Sequence, residues 1–235
     1  MTAAAYDALA PHYRQYAKRR AAYCDGVDRT IVSWCQDRCA AMLDVGSGDG
    51  VRAVHLARAL GVTSLVLSDP SQPMREQCRA VHDGEVLTCA AESLPVSAGT
   101  FDIVTCLWNV LGAIEQPAQQ LSALRNMREH LTSSGRLFLD VHNRYNIAAA
   151  GATRVVARRV RDALRPQASN GLVSFTWAID DLRIPTWGYL FAEREILELF
   201  VRAGLRPVQR AFVHYDTGAI CGPWSGQMVF SLEAV

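Results

Sequence analysis

Apolar residues cluster along this chain with a spacing that changes with position. Between residues 42 and 143, five short apolar runs (42–45, 64–68, 85–88, 101–107 and 136–142) have the length and aliphatic content of buried strands. Between them lie amphipathic stretches with helical periodicity. The clearest are 51–60 and 117–131, the second opening on Pro117 and stopping before the polar residues 132–135, which read as a loop. Strands alternating with helices imply a parallel sheet with right-handed crossovers, and such sheets bind ligands at the carboxyl ends of their strands.

The flanking segments read differently. Residues 3–37 predict two helices, with Tyr6 and Tyr13, and then Tyr16 and Tyr23, seven residues apart so that each pair shares a helical face. The alternation breaks over residues 144–190. An arginine-rich helical stretch and a polar turn at 166–171 are followed by a probable strand at 172–179 and an aromatic segment at 184–190. Residues 191–203 predict an amphipathic helix ended by Gly204, and 206–214 and 227–232 predict two last strands. The expected architecture is α/β: a doubly wound, mostly parallel, seven-stranded sheet in a single domain over 1–235, with an N-terminal helical cap over 1–40 and an insertion at 144–190 after the fifth strand.

The chemistry concentrates where the first predicted strand ends, at Leu43-Asp44-Val45-Gly46-Ser47-Gly48-Asp49-Gly50. Glycine tolerates positive φ and lets a ligand lie against bare backbone, and the helix that follows offers unpaired N–H groups. A dinucleotide fingerprint would need a third glycine where Val51 stands. A P-loop would need a lysine after the glycine, and the only lysine is Lys18. Asp69 closes the second run about 20 positions past the glycine turn, where a carboxylate can accept from ribose hydroxyls.

This glycine segment resembles motif I of the class I S-adenosylmethionine (SAM) methyltransferases, a family with a Rossmann-like fold. Three further segments resemble theirs in the same order: Asp69-Pro70-Ser71-Gln72-Pro73-Met74, Cys89-Ala90-Ala91-Glu92-Ser93-Leu94-Pro95, and Thr100-Phe101-Asp102-Ile103-Val104 leading to Leu107, Trp108 and Asn109. The resemblance implies SAM as cofactor and S-adenosylhomocysteine as product. It implies cofactor contacts from Asp44, Gly46, Ser47, Gly48, Asp69, Pro70, Met74, Ala91, Glu92, Leu107 and Trp108, with Tyr13 and Tyr16 reaching over from the cap. The sequence departs from the family at Ala90, where an aspartate usually accepts from the adenine amino group; either Glu92 or backbone groups take that role.

His142 and Asn109 are the candidate catalytic residues, because both are expected at strand tips and histidine titrates near neutrality. Asn143, Tyr145, Trp187, Tyr189 and His214 are the candidate acceptor-pocket residues. In this family an insertion after the fifth strand builds that pocket.

Composition narrows the rest. Net charge is +1, seven cysteines lack paired spacing, and no apolar run approaches bilayer length. The expectation is a cytoplasmic enzyme without a bound metal or membrane partner, which methylates nitrogen or oxygen of a small-molecule metabolite. Natural-product biosynthesis is one setting, and a homodimer is left open. Two rival readings stand beside it. Arg154, Arg158, Arg159, Arg161 and Arg165 could dock RNA or a protein, making this a macromolecule methyltransferase. Alternatively, the chain could be an inactive SAM-binding regulatory subunit.

Overall fold

The computed structural model describes residues 3–35 and 39–235. The predicted end of the N-terminal helices near Asp37 lies outside the described residues. In chain order the elements are α1 (Ala3–Leu9), α2 (Tyr13–Lys18), α3 (Ala21–Trp34), β1 (Ala41–Val45), α4 (Val51–Ala59), β2 (Ser64–Ser68), α5 (Gln72–Val81) and β3 (Val86–Leu87). They continue with β4 (Phe101–Cys106), α6 (Pro117–Glu129), β5 (Leu131–Val141), α7 (Ile147–Ala150), α8 (Ala152–Leu164), β6 (Leu172–Ile179), β7 (Leu182–Tyr189), α9 (Glu193–Ala203), β8 (Leu205–Val213) and β9 (Gln227–Ala234).

Seven strands form one sheet in the order β3-β2-β1-β4-β5-β9-β8. β1 to β5 pair in parallel, and β9 runs antiparallel to both β5 and β8. Alternating side chains cover both faces, as the pleat requires. On β1, Leu43 and Val45 join the larger core with Leu124 and Met127 of α6 and Phe200 of α9. Met42 points the other way, to Tyr23, Val27 and Ile31 of α3 and Leu56 of α4. On β9, Phe230 and Val229 divide in the same manner.

Three departures from the sequence expectation have local causes. The cap is three helices rather than two, because a 3-10 turn at Ala10–His12 contains Pro11, which supplies no N–H to continue α1. The polar residues 132–135 are not a loop ahead of β5 but a bulge within it. Leu131 pairs with Phe101, and the next pair joins Arg136 to Ile103. The aromatic segment after β6 is itself a strand, since β7 pairs with β6 as a separate two-stranded sheet. Pro185 is tolerated there because a two-stranded sheet has only edges.

The cap and this hairpin close on one another. Leu9, Trp177, Ile179 and Ile184 form a buried cluster with Tyr6, Tyr13 and Tyr16 around it. Polar contacts pin the cap, among them three near the cavity mouth and its loops. Gln15 donates to Asp180 on the hairpin (3.0 Å), Ser71 donates to Asp7 (2.6 Å), and Arg14 pairs with Asp49 beside the glycine loop (3.3 Å).

Candidate active site

Between the strand tips, the cap and the hairpin lies a cavity of about 760 Å³, within the range of small-molecule sites. Its floor follows the carboxyl ends of the strands: Gly46 and Gly48 after β1, Asp69 and Pro70 after β2, Leu107 to Asn109 after β4, and His142 after β5.

The glycine loop is shaped for close approach. Gly46 and Gly48 have φ of 75° and 59°. A Cβ at Gly46 would stand 2.7 Å from the Val110 side chain, and one at Gly48 would stand 2.5 Å from the Tyr13 hydroxyl. Asp69 ties the two loops together, accepting from Gly48 N (2.9 Å) and Ser71 N (2.8 Å). Each carboxylate oxygen keeps a further lone pair for a ligand hydroxyl. Burial raises the Asp69 pKa to about 6, with the two backbone N–H groups pulling the other way. The turn at Ala90, Ala91 and Glu92 completes this end.

Trp108 and Asn109 adopt φ of 62° and 60°, the left-handed region that costs a bulky residue such as Trp108 roughly 1–2 kcal/mol and an asparagine less. The Trp108 indole is stacked on Tyr16 (centroids 5.6 Å, planes 20° apart), edge-on to Tyr13 (5.9 Å), and its Nε1 donates to the Tyr215 hydroxyl (3.3 Å). Asn109 accepts from His142 N (2.9 Å). The imidazole of His142 meets Tyr215 edge-on (5.2 Å), and its buried Nε2 has no hydrogen-bond partner. Burial and then the nearby Arg20 lower its pKa to about 4, so the ring is neutral at physiological pH.

The structure brings Tyr13, Tyr16, Gly46, Gly48, Asp69, Pro70, Ala91, Glu92, Leu107, Trp108, Asn109, His142 and Trp187 into one lining. The remaining expected residues lie elsewhere. Asp44 is buried under the loop, accepting from the Thr105 hydroxyl, and Ser47 is spent on Asp44 O and Ser68 N. Met74 is fully buried on α5 and does not line the cavity. Asn143 bonds Pro223 O and Gly226 O, and Tyr145 donates to Asp162. Tyr189 sits in the core against Phe191, with its hydroxyl on Ala168 O and Glu195. His214 shapes a turn by accepting from Asp216 N, and the next residue, Tyr215, is the one that lines the cavity.

Sequence reasoning did not single out Arg19, Arg20, Phe175, Trp177 or the wall at Gly112 to Glu115 as site residues. The aromatic content of β6 was the one available signal for them. The arginine series is largely spent internally. Arg144 is buried between Asp162 and Glu195, Arg158 donates to Arg144 O, Arg161 pairs with Asp162, and Arg159 lies over Tyr145 and Trp224. Among the described residues, no group of three or more His, Cys, Asp or Glu could hold a metal ion, and no helix is long and apolar enough to cross a membrane.

This arrangement fits SAM. The glycine cradle and Asp69 would hold its methionine and ribose portions, and the turn at Ala90 to Glu92 its adenine. The comparisons with known proteins agree. A family model described as a methyltransferase domain matches residues 13–210, and the chain belongs to that family of SAM-dependent methyltransferases. A cypemycin N-terminal methyltransferase from Streptomyces sp is 27% identical over 164 residues; the match covers 69% of this chain and 60% of that relative's length. The fold is shared with the sugar N-methyltransferase KedS8 from Streptoalloteichus sp (TM-score 0.64, 19% identity, 95% and 92% of the two chains). It is shared too with SAM-bound CalS10, an amino pentose methyltransferase from Micromonospora echinaspora (TM-score 0.61, 15% identity, 93% and 95%).

Proposed function

We propose that this protein methylates a nitrogen atom of a small-molecule amine. The observation that carries this reading is the charge of the cavity lining. Away from the turn assigned to adenine, Glu115 lines it with no ion-pair or hydrogen-bond partner among the described residues, while the lining cations Arg19 and Arg20 are paired with Asp180 and Asp216. The unpaired charge at that end is therefore negative, and the same cavity is lined by the rings of Trp108, Phe175, Trp177, Trp187 and Tyr215. Such a cavity favours a ligand that arrives as a cation, by field and by cation–π attraction. The names of the three relatives above, a sugar N-methyltransferase, an amino pentose methyltransferase and an N-terminal methyltransferase, lend the same direction.

SAM when bound supplies an electrophilic methyl group on a sulfonium. The residues of this chain do the remaining work. The glycine loop and Asp69 fix the cofactor end, and the wall from Trp108 to Val110 with the β6–β7 hairpin confines the acceptor. Holding two reactants in line is worth about 7–11 kcal/mol in favourable cases. An amine that arrives as a cation must lose a proton to solvent before its lone pair can attack. His142, with its pKa near 4, is too weak a base to take that proton and instead offers its unpartnered Nε2 as a hydrogen-bond acceptor that orients the nitrogen.

The test is to supply methyl-labelled SAM with a panel of primary and secondary amines and matched alcohols. Label in the amines, reduced in His142→Phe, is the expected outcome. Label confined to the alcohols, or appearing in RNA or protein from a cell extract instead, would refute the reading.

A further inference from the structure

The wall between the two ends of the cavity is held against its own backbone preference. Trp108 and Asn109 both adopt left-handed φ, which side-chain-bearing residues keep only where their surroundings impose it. One residue supplies most of that constraint. Asp140, fully buried near the end of β5, accepts from Trp108 N through Oδ1 (2.5 Å), and its backbone oxygen accepts from Asn109 N (3.3 Å). Its other carboxylate oxygen accepts from the hydroxyl of Tyr23 on α3 (2.6 Å). Two donors from distant parts of the chain thus converge on one carboxylate, and neither Asp140 nor Tyr23 lines the cavity.

What this clamp orients does line it. The Trp108 indole reaches Tyr16 and the Tyr215 hydroxyl, and the Asn109 carboxamide holds the backbone of His142. We propose that Asp140, buttressed by Tyr23, is a positioning residue for methyl transfer: it holds the strained turn that sets Trp108 and His142 around the reacting atoms. The proposal rests on the function argued above.

The acceptor count makes it testable. Alanine at 140 leaves the Trp108 N–H and the Tyr23 hydroxyl without their acceptor in a buried place. Asparagine can still accept from Trp108 N through its one oxygen, and its amide can donate to a Tyr23 hydroxyl rotated to accept. An asparagine rescue is therefore expected of a clamp.

The experiment uses the full chain as wild type, Asp140→Ala, Asp140→Asn and Tyr23→Phe. It measures affinity for SAM and S-adenosylhomocysteine by calorimetry and the Trp108 contribution to near-ultraviolet circular dichroism, identified as the band that Trp108→Phe removes. Asp140→Ala should lose that band and bind S-adenosylhomocysteine about tenfold more weakly, the scale of a lost hydrogen bond to a charged group. Asp140→Asn should restore both to near wild type, and Tyr23→Phe should fall between. If Asp140→Ala does not fold, the comparison of Tyr23→Phe with wild type carries the test. Wild-type affinity with an intact band in Asp140→Ala or Tyr23→Phe would overturn the proposal. So would a defect that Asp140→Asn does not relieve. If wild type binds neither SAM nor S-adenosylhomocysteine, the function argued above fails, while the Trp108 band still decides whether Asp140 holds the turn.

Discussion

Cofactor affinity should fall about tenfold between pH 7.5 and pH 5, and Asp69 is the reason. Its pKa of about 6 in the free protein comes chiefly from burial. Accepting from ribose hydroxyls requires the carboxylate, so the binding-competent fraction is the ionised one. At pH 7.5 that fraction is about 97%, and at pH 5 about 9%. Below pH 6 the logarithm of the affinity should drop with a slope approaching one per pH unit. His142, with a pKa near 4, stays neutral through most of this window and does not supply the same slope. Calorimetric titration of S-adenosylhomocysteine in buffers of matched ionic strength is the assay. Asp69→Asn, weaker throughout, should show a flat profile. A wild-type affinity unchanged between pH 7.5 and pH 5 would refute both the role of Asp69 and the burial argument.

Thermal stability would be a poor substitute for that measurement. A raised carboxyl pKa means that the folded state holds the proton more tightly. The Asp69 contribution to stability, up to about 3 kcal/mol, is fully present below pH 3.8 and is lost as pH rises through 6. The depressed histidine works in the opposite sense. The His142 contribution is present above pH 6.5 and is lost as pH falls through 4. The two windows overlap with opposite signs, so the melting temperature blurs what ligand binding separates.

Four further outcomes are expected. Gly48→Ala should weaken SAM binding at least tenfold, because the added Cβ collides with Tyr13 as well as straining φ. Gly61→Ala, with φ of 70° but no atom within 4 Å of its Cβ, should lose only about 1–2 kcal/mol of stability by urea titration. Gly218→Ala should cost about 3 kcal/mol or more in the same titration, since its Cβ would fall 1.8 Å from Ala22 O and push α3 off the loop. Glu115→Gln should raise KM for an amine acceptor roughly 3- to 10-fold, the scale of an exposed charge worth about 1 kcal/mol. SAM affinity should stay constant, and an unchanged KM would remove Glu115 from acceptor recognition.

The cofactor end was legible in the sequence because it is made of short segments that directly follow strands. Gly46, Gly48, Asp69 and Leu107 each lie within three residues of a strand end, so finding the strands placed them. The glycine pattern could not distinguish side chains above the loop from those below it. Asp44 and Ser47 have their polar atoms committed to Thr105, Asp44 O and Ser68 N under the turn. The acceptor end was less legible, because single residues of register decide it. Tyr215 rather than His214 reaches the cavity, and along β7 Trp187 lines it while Tyr189, two residues on, has passed into the core. Arg144 shows a further limit. In sequence it belongs to a basic cluster, yet its charge is neutralised inside the protein by Asp162, which is nearby in the chain, and by Glu195, which is 51 residues away.

The same contrast bears on how the two halves of the cavity can vary. At the cofactor end, Asp69 and Gly48 are 21 residues apart and joined by one hydrogen bond between adjacent strand tips. At the acceptor end, the closing contacts join Gln15 to Asp180 and Arg19 to Ala178 across more than 150 residues, with Tyr6 and Tyr16 both against Trp177. The β6–β7 hairpin does not belong to the seven-stranded sheet and can change its side chains without moving the loops that carry Gly48 and Asp69, whereas the cap touches those loops through Asp7, Tyr13 and Arg14. Trp108 is the point at which this independence ends: it is anchored to β5 through Asp140 and stacked on the cap through Tyr16. A change of acceptor made in the hairpin must therefore still present the new reacting atom to an indole and an imidazole whose positions are set from the sheet, and that requirement limits the range of acceptors such variation can reach.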